Sequence, residues 1–158
     1  MSEPAFLDLG SATSKVRIFV SYDLEHDEDL MELLARHASG ASSGFEISGR
    51  STARCPTDLW DERLRLVIRE ADQVIVICGE RTDRSGRVGT ELRIAQEEER
   101  PYLLLWGRRE PMCTRPATAK PLDSMYSWTP EIVQHQILTL RRLAESKERG
   151  AEQGPAPA

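Results

Sequence analysis

Glu91 is a candidate catalytic side chain. It falls in the first turns of a predicted helix, three positions after Val88 and one before Leu92, so we expect it near the buried side of that helix. A carboxylate partly withdrawn from water near a pocket can act as an acid, a base or a stabiliser of positive charge. The alternative is a glutamate that complements the macrodipole at the start of a helix, which is a common arrangement. Periodicity alone does not separate the two interpretations.

A second group of polar side chains follows the first predicted strand. Ser21, Tyr22 and Asp23 place a hydroxyl, an aromatic ring and a carboxylate at one strand end, where they could hold a ribose or stack on a flat ring. In the alternative interpretation Ser21 and Asp23 cap the helix that follows. The residues alone favour capping.

Several common catalytic and metal-binding patterns are missing from the sequence. Gly86 and Gly89 form neither G-x-G-x-x-G nor a P-loop, which disfavours a Rossmann enzyme or a nucleoside triphosphatase. The three histidines share no spacing, and no Ser-His-Asp or Cys-His set is visible. The three cysteines have no CxxC spacing, so we expect neither a disulfide framework nor a metal site.

The composition is that of an ordinary globular domain. The chain has 158 residues, a formal net charge of -5 and no basic stripe of the kind that binds nucleic acid. No basic-then-apolar leader opens it, and no apolar stretch approaches the ~20 residues of a membrane span. We therefore expect a cytoplasmic protein that contacts neither nucleic acid nor membrane.

Strands and helices alternate along the sequence. The apolar run at residues 74–78 is continuous, which is typical of a strand buried on both faces of a parallel sheet. The other predicted strands are residues 16–21, 45–47, 102–106 and 124–128. Alternation with helices predicts an α/β fold with a five-stranded parallel sheet, in which ligands bind beyond the carboxyl ends of the strands.

The predicted domain covers residues 16–146. Residues 1–15 mix small and isolated apolar side chains and are predicted to be a flexible lead-in. Residues 147–158 end in Gly, Pro and Ala and are predicted to be a disordered tail.

Four segments, in order, resemble the motifs of TIR and TIR-like domains. The first resembles a strand ending in F-x-S-[YH], and the second a helix and strand ending in V-I-V-L-I-G-x-x-T. The third is similar to V-x-x-E-I-x-x-A, and the fourth to the strand after it. The segments are residues 16–22, 58–82, 88–95 and 101–106. The resemblance spans roughly residues 16–140 and is strongest to the TIR-like subgroup that includes the signal-producing component of Thoeris anti-phage systems.

The resemblance implies a flavodoxin-like, three-layer sandwich. In catalytic members it also implies cleavage of the nicotinamide–ribose bond of NAD, giving ADP-ribose or a cyclic ADP-ribose-type signal. Glu91 corresponds to the catalytic glutamate of the family. The nucleotide pocket would be lined by Ser21, Tyr22, Asp23, Gly79, Glu80, Ser85 and Arg87. NAD would be the substrate, with no metal and no further cofactor.

The resemblance also implies partners. TIR-like domains commonly self-associate to complete their site, and in antiviral defence a separate effector protein responds to the product. The resemblance therefore implies that this chain forms an oligomer in the cytoplasm.

Arg87 is the clearest departure from the family pattern. Family members often carry an aromatic residue at this place before the glutamate, and here Arg87 could instead contact a phosphate bidentately or mark a member that has lost catalysis. The alternative function is therefore a non-catalytic adaptor that acts by homotypic interaction. A receiver domain is disfavoured because Cys78 and Gly79 stand where its phosphoacceptor Asp would be, and a flavodoxin because no Ser/Thr-rich loop follows the first strand.

Overall fold

A computed structural model of the chain describes residues 15–40, 43–52, 59–109 and 112–153, the last four as backbone only. Residues 1–14 and 154–158, which include most of the predicted lead-in and the end of the predicted tail, lie outside the described part.

Five parallel strands form one sheet in the order β2-β1-β3-β4-β5. This is the flavodoxin-like strand order. The predicted α/β fold with a five-stranded parallel sheet is therefore confirmed. The strands are β1 (Val16–Ser21), β2 (Phe45–Arg50), β3 (Gln73–Cys78), β4 (Tyr102–Trp106) and β5 (Met125–Ser127).

Helices cover both faces of the sheet and make a three-layer sandwich. One apolar core lies between the sheet and two helices, α1 (Glu28–Ala38) and α4 (Pro130–Gln153). The other lies against α2 (Trp60–Glu70) and α3 (Gly86–Glu97). Because the sheet is covered on both sides, every residue of β3 is buried, as its continuous apolar run predicts.

The second strand is longer than the sequence predicts. The pattern predicts a strand over residues 45–47, whereas β2 continues to Arg50, with Gly49 beside Phe19 and Arg50 beside Val20. A β-carbon on Gly49 would lie 2.6 Å from Cγ1 of Val67 on α2, so glycine permits this close approach. Strand pairing here overrides the low strand propensity of the sequence.

The last helix is also longer than predicted. It begins where the sequence places it, with Thr129 accepting a hydrogen bond from the backbone N–H of Ile132 (3.1 Å) ahead of Pro130. It then passes the predicted boundary at residue 146 and ends at Gln153, so the first part of the predicted disordered tail is helical. Glu, Lys, Arg and Ala are strong helix formers, and an i, i+4 ion pair between Arg141 and Glu145 adds to that preference.

Candidate active site

Two serines from neighbouring strand ends meet the carboxylate of Glu91. Ser21 is the last residue of β1 and Ser51 directly follows β2, and the pairing of Val20 with Arg50 places the two serines side by side. Both hydroxyls donate to the same carboxylate oxygen, Oε1 of Glu91, at 2.6 Å. The structure thus joins the ends of two strands to one helix through a single carboxylate.

Helix α3 sets the position of that carboxylate. Ser85 caps the helix, and its hydroxyl accepts a hydrogen bond from the backbone N–H of Val88 at 3.2 Å. Val88 and Leu92 are both fully buried in the core, so the position between them, Glu91, also faces inward. Ser85 acts here as a helix cap, and its predicted contact with a nucleotide remains a prediction.

Glu91 is more deeply buried than the sequence suggests. Only 1% of its surface is exposed. Loss of water around the carboxylate raises its pKa from 4.5 to about 7, although the two serine hydroxyls and the charge of Arg87 act in the opposite direction. A carboxyl with that pKa exists in both protonation states near neutral pH, as a general acid or base requires.

A cavity of about 390 Å³, the Glu91 cavity, lies beside this carboxylate. It is enclosed by the end of β2, by β1 and by α2, with Phe19, Gly49, Trp60, Leu64 and Glu91 among its walls. This is a concave, largely apolar space with one buried titratable group, the usual form of a small-molecule site.

Arg87 lies on α3, one turn before Glu91. Its guanidinium donates to the backbone carbonyl of Thr52, and its central carbon is 5.8 Å from the centre of the Trp60 ring. Thr52 and Trp60 both belong to the wall of the Glu91 cavity, so Arg87 places a positive charge next to it. The guanidinium therefore lies within cation–π distance of the Trp60 ring of α2.

Tyr22 and Asp23 are engaged by their own part of the chain. Tyr22 is 1% exposed, and its hydroxyl donates to Glu28 at 2.9 Å. Burial, together with this hydrogen bond, raises the pKa of Tyr22 to about 12. Asp23 accepts hydrogen bonds from the backbone N–H of Glu25 (3.0 Å) and from His26 Nδ1 (2.8 Å). Helix α1 begins after Asp27, and neither Ser21 nor Asp23 caps it, because Ser21 donates to Glu91 and Asp23 accepts from the turn before the helix. The capping interpretation is therefore wrong, and the burial of Tyr22 leaves no face of its ring open for stacking.

Gly79 and Glu80 lie at the end of β3. The Gly79 N–H donates to the hydroxyl of Thr82 at 2.7 Å, and its carbonyl accepts from the backbone N–H of Thr114 at 2.8 Å. A β-carbon at this position would lie 2.2 Å from Oδ2 of Asp27, which only glycine avoids. Glu80 is exposed, and neither residue hydrogen-bonds to Glu91.

Asp27 is a second buried carboxylate, on the other side of β3. It is 1% exposed, and its Oδ1 accepts from Arg108 at 3.1 Å, while Oδ2 has no hydrogen-bond partner among the described residues. Arg108 also binds both carboxylate oxygens of Asp29, at 2.8 and 3.1 Å. Burial raises the pKa of Asp27 despite the attraction of Arg108.

Sequence reasoning missed Ser51. It lies beyond the predicted strand at residues 45–47, and nothing in the neighbouring sequence marks it as a site residue. The available signal was the strand order, because the residue after β2 must lie beside the residue that ends β1. That signal is usable only when the true end of β2 is known.

Comparisons with known proteins show the following. No family model matches the chain, and no curated protein matches it. Among solved structures it is similar to one described as a crystal structure of a prokaryotic SEFIR domain, with 23% identity, 82% of this chain covered, 92% of that chain covered and a TM-score of 0.47. The fold class follows from the strand order of the sheet and not from this likeness. The likeness assigns no role to any residue. The resemblance to the Thoeris subgroup stays a prediction.

None of the helices in the described part of the chain combines the length and apolarity needed to cross a membrane. Within the same residues, no group of three His, Cys, Asp or Glu side chains is arranged to hold a metal ion.

Proposed function

We propose that this chain is a TIR-like NAD-processing enzyme that cleaves the nicotinamide–ribose bond, with Glu91 as its catalytic residue. The observation that carries the proposal is the buried carboxylate, held by two serine hydroxyls on the wall of the Glu91 cavity. Glu91 thus combines a titratable side chain, a fixed orientation and adjoining space.

The chemistry needs little from the protein. The bond between the anomeric carbon and the nicotinamide nitrogen breaks, and its electron pair leaves with neutral nicotinamide. The ribose carbon that remains has oxocarbenium character, which an adjacent carboxylate stabilises, as in glycoside cleavage. Water then adds to that carbon and releases a proton, giving ADP-ribose. Attack by a nitrogen of the substrate's own adenine would give a cyclic ADP-ribose-type product instead.

The carboxylate must be ionised to stabilise this charge. Since the pKa of Glu91 is about 7, the ionised fraction grows as the pH rises through neutrality. Ser21 and Ser51 hold one oxygen in place by donating to it. Nicotinamide release should therefore increase with pH and level off above the pKa of Glu91.

Arg87 and Trp60 suit a dinucleotide. The guanidinium is a bidentate donor that matches the oxygens of a pyrophosphate, once it leaves the Thr52 carbonyl. The indole of Trp60, on the same wall, offers a face for a ring. We assign Ser21 and Arg87 to the site itself. Tyr22, Asp23, Gly79 and Ser85 each make hydrogen bonds within the chain, and Glu80 is exposed. Their contact with the nucleotide stays a prediction from the sequence resemblance.

The biological setting we propose follows from the sequence resemblance. It is bacterial anti-phage immunity in the cytoplasm, with self-association of the domain and a separate effector that responds to the product. The nucleotide product would then be the signal.

The second candidate is a non-catalytic adaptor that acts by homotypic interaction. The observation that favours it is the same carboxylate, because Glu91 ties β1, β2 and α3 together while exposing 1% of its surface. In an adaptor, Glu91 would serve only to fix these three elements.

NAD consumption by the concentrated protein, with a crowding agent, separates the two candidates. Wild type, Glu91→Gln and the exposed control Glu32→Gln would be compared by release of nicotinamide and by the mass of the second product. The enzyme predicts turnover in wild type and control and at least a hundredfold loss in Glu91→Gln, within the range of removing one charge stabiliser. An assembled wild type without turnover would favour the adaptor.

A further inference from the structure

A second cavity, of about 680 Å³, lies on the opposite face of the sheet from the Glu91 cavity. It opens beyond the carboxyl ends of β4 and β5, between α1 and the first turn of α4. We call it the tryptophan groove, after Trp106 and Trp128; its other walls include Leu33, His37 and Arg109. Its volume lies within the range of sites for drug-sized ligands, about 300–1,000 Å³.

The groove presents apolar and aromatic surface to solvent. Trp106 is 36% exposed and Leu33 is 45% exposed, so a large part of each apolar side chain faces solvent. Trp128 is half-buried and packs against the core from the next strand end. Two indoles at neighbouring strand ends offer faces on which a flat ring can stack.

The charge of the groove is not balanced within it. Its described walls carry no acidic side chain but include Arg108 and Arg109. Arg108 is occupied by Asp27 and Asp29, so it contributes structure rather than free charge. Arg109 is exposed and makes no ion pair with the described part of the chain. The available cation beside the indoles is thus Arg109.

We propose that the tryptophan groove binds a planar heteroaromatic ring carrying a phosphate or carboxylate group, a ligand of nucleoside monophosphate size. The ring stacks on Trp106 and the anion pairs with Arg109. Parallel α/β sheets bind ligands beyond the carboxyl ends of their strands, and this groove occupies that position at β4 and β5 while Glu91 occupies it at β1 and β2. Binding here needs no chemistry at Glu91, so the proposal stands or falls independently of NAD cleavage.

Tryptophan fluorescence can locate the ligand, because the sequence has three tryptophans and they divide between the two cavities. The probes are AMP, which has the ring and the anion, and adenosine, which has the ring alone. In Trp60→Phe only the two groove indoles remain to report binding. AMP should quench this variant's fluorescence saturably, and adenosine should do so more weakly.

Side-chain variants test the two contacts. Trp106→Ala should weaken the binding of AMP and the binding of adenosine by about tenfold each, because both ligands lose the ring on which they stack. Arg109→Gln should weaken the binding of AMP by about fivefold and leave the binding of adenosine unchanged, since an exposed ion pair contributes little more than that. Leu143→Ser and Arg142→Gln, both exposed on α4 away from the groove, should change neither.

Three results would overturn the proposal. The first is the absence of saturable AMP quenching up to millimolar concentration in folded wild type. The second is quenching that disappears in Trp60→Phe and persists in Trp106→Ala, which would place AMP in the Glu91 cavity. The third is equal weakening by the groove variants and their controls. Arg109 is exposed, so Arg109→Gln remains informative even if Trp106→Ala fails to fold.

Discussion

Replacing Glu91 by Gln removes a carboxyl whose pKa burial raises from 4.5 to about 7. Glutamine has the same shape, and its amide oxygen can still accept from Ser21 and Ser51 as Oε1 does. The variant therefore keeps the contacts and loses only the titration.

The sign follows from proton counting. Between pH 4.5 and about 7 the unfolded chain has released the proton of Glu91, whereas the native state still holds it. The native state binds more protons, so the free energy of unfolding falls as the pH rises through this window. At ~1.4 kcal/mol per pH unit, the rise from 4.5 to about 7 corresponds to a loss of about 3 kcal/mol, complete above the native pKa.

Urea unfolding of wild type and Glu91→Gln, each from about pH 4 to about pH 8, measures this directly. Contributions from all other groups cancel in the difference between the two proteins. The variant should gain about 3 kcal/mol relative to wild type across the range. Glu32→Gln, which alters an exposed glutamate, should run parallel to wild type. Parallel curves for wild type and Glu91→Gln would show that the carboxyl titrates normally and would refute the reasoning.

Three further predictions concern the groups around the strand ends. Ser51→Ala removes one of the two donors to the Glu91 carboxyl, so the pKa of Glu91 should rise further, and the free energy of chemical unfolding at neutral pH should fall by about 1–2 kcal/mol. An unchanged stability would contradict the hydrogen bond. Gly79→Ala would place a β-carbon 2.2 Å from Asp27 and should lower the melting temperature clearly, whereas Gly86→Ala, with nothing within 4 Å, should not; equal effects would be inconsistent with the close approach. Arg108→Gln leaves Asp27 buried without its charge partner, so the free energy of unfolding in urea should fall by about 2–3 kcal/mol at neutral pH. The loss should be smaller in acid, where the carboxyl is protonated, and a loss independent of pH would rule out this cause.

The sequence predicts best what the local pattern determines. The buried run of β3 and the start of α4 at Pro130 each follow from residue types that leave little choice of structure. The inward direction of Glu91 follows from helical spacing alone. In these places local preference and the final fold agree.

What the sequence does not predict depends on contacts between distant segments. Strand β2 continues through Gly49 because it pairs with β1, against its own low propensity. The burial of Glu91 to 1% and its contact with Ser51, 40 residues away, exist only once that pairing has formed. The sequence resemblance places Tyr22 on the wall of a pocket, whereas its ring lies in the core, where it belongs to the same apolar cluster as Leu30 and Met31 of α1.

Helix α4 is much longer than the sheet it packs on. Its 24 residues span about 36 Å, whereas the five residues of β4 span about 17 Å. The fully buried contacts of α4, Val133 and Ile137, both lie in its first third. Beyond them, Ala144, Glu145 and Glu148 still line a pocket with Asp72 and Pro101, which precede β3 and β4, so the helix follows the domain at least to Glu148. A fluorophore fixed to its exposed face would therefore report the domain's orientation as well as its position.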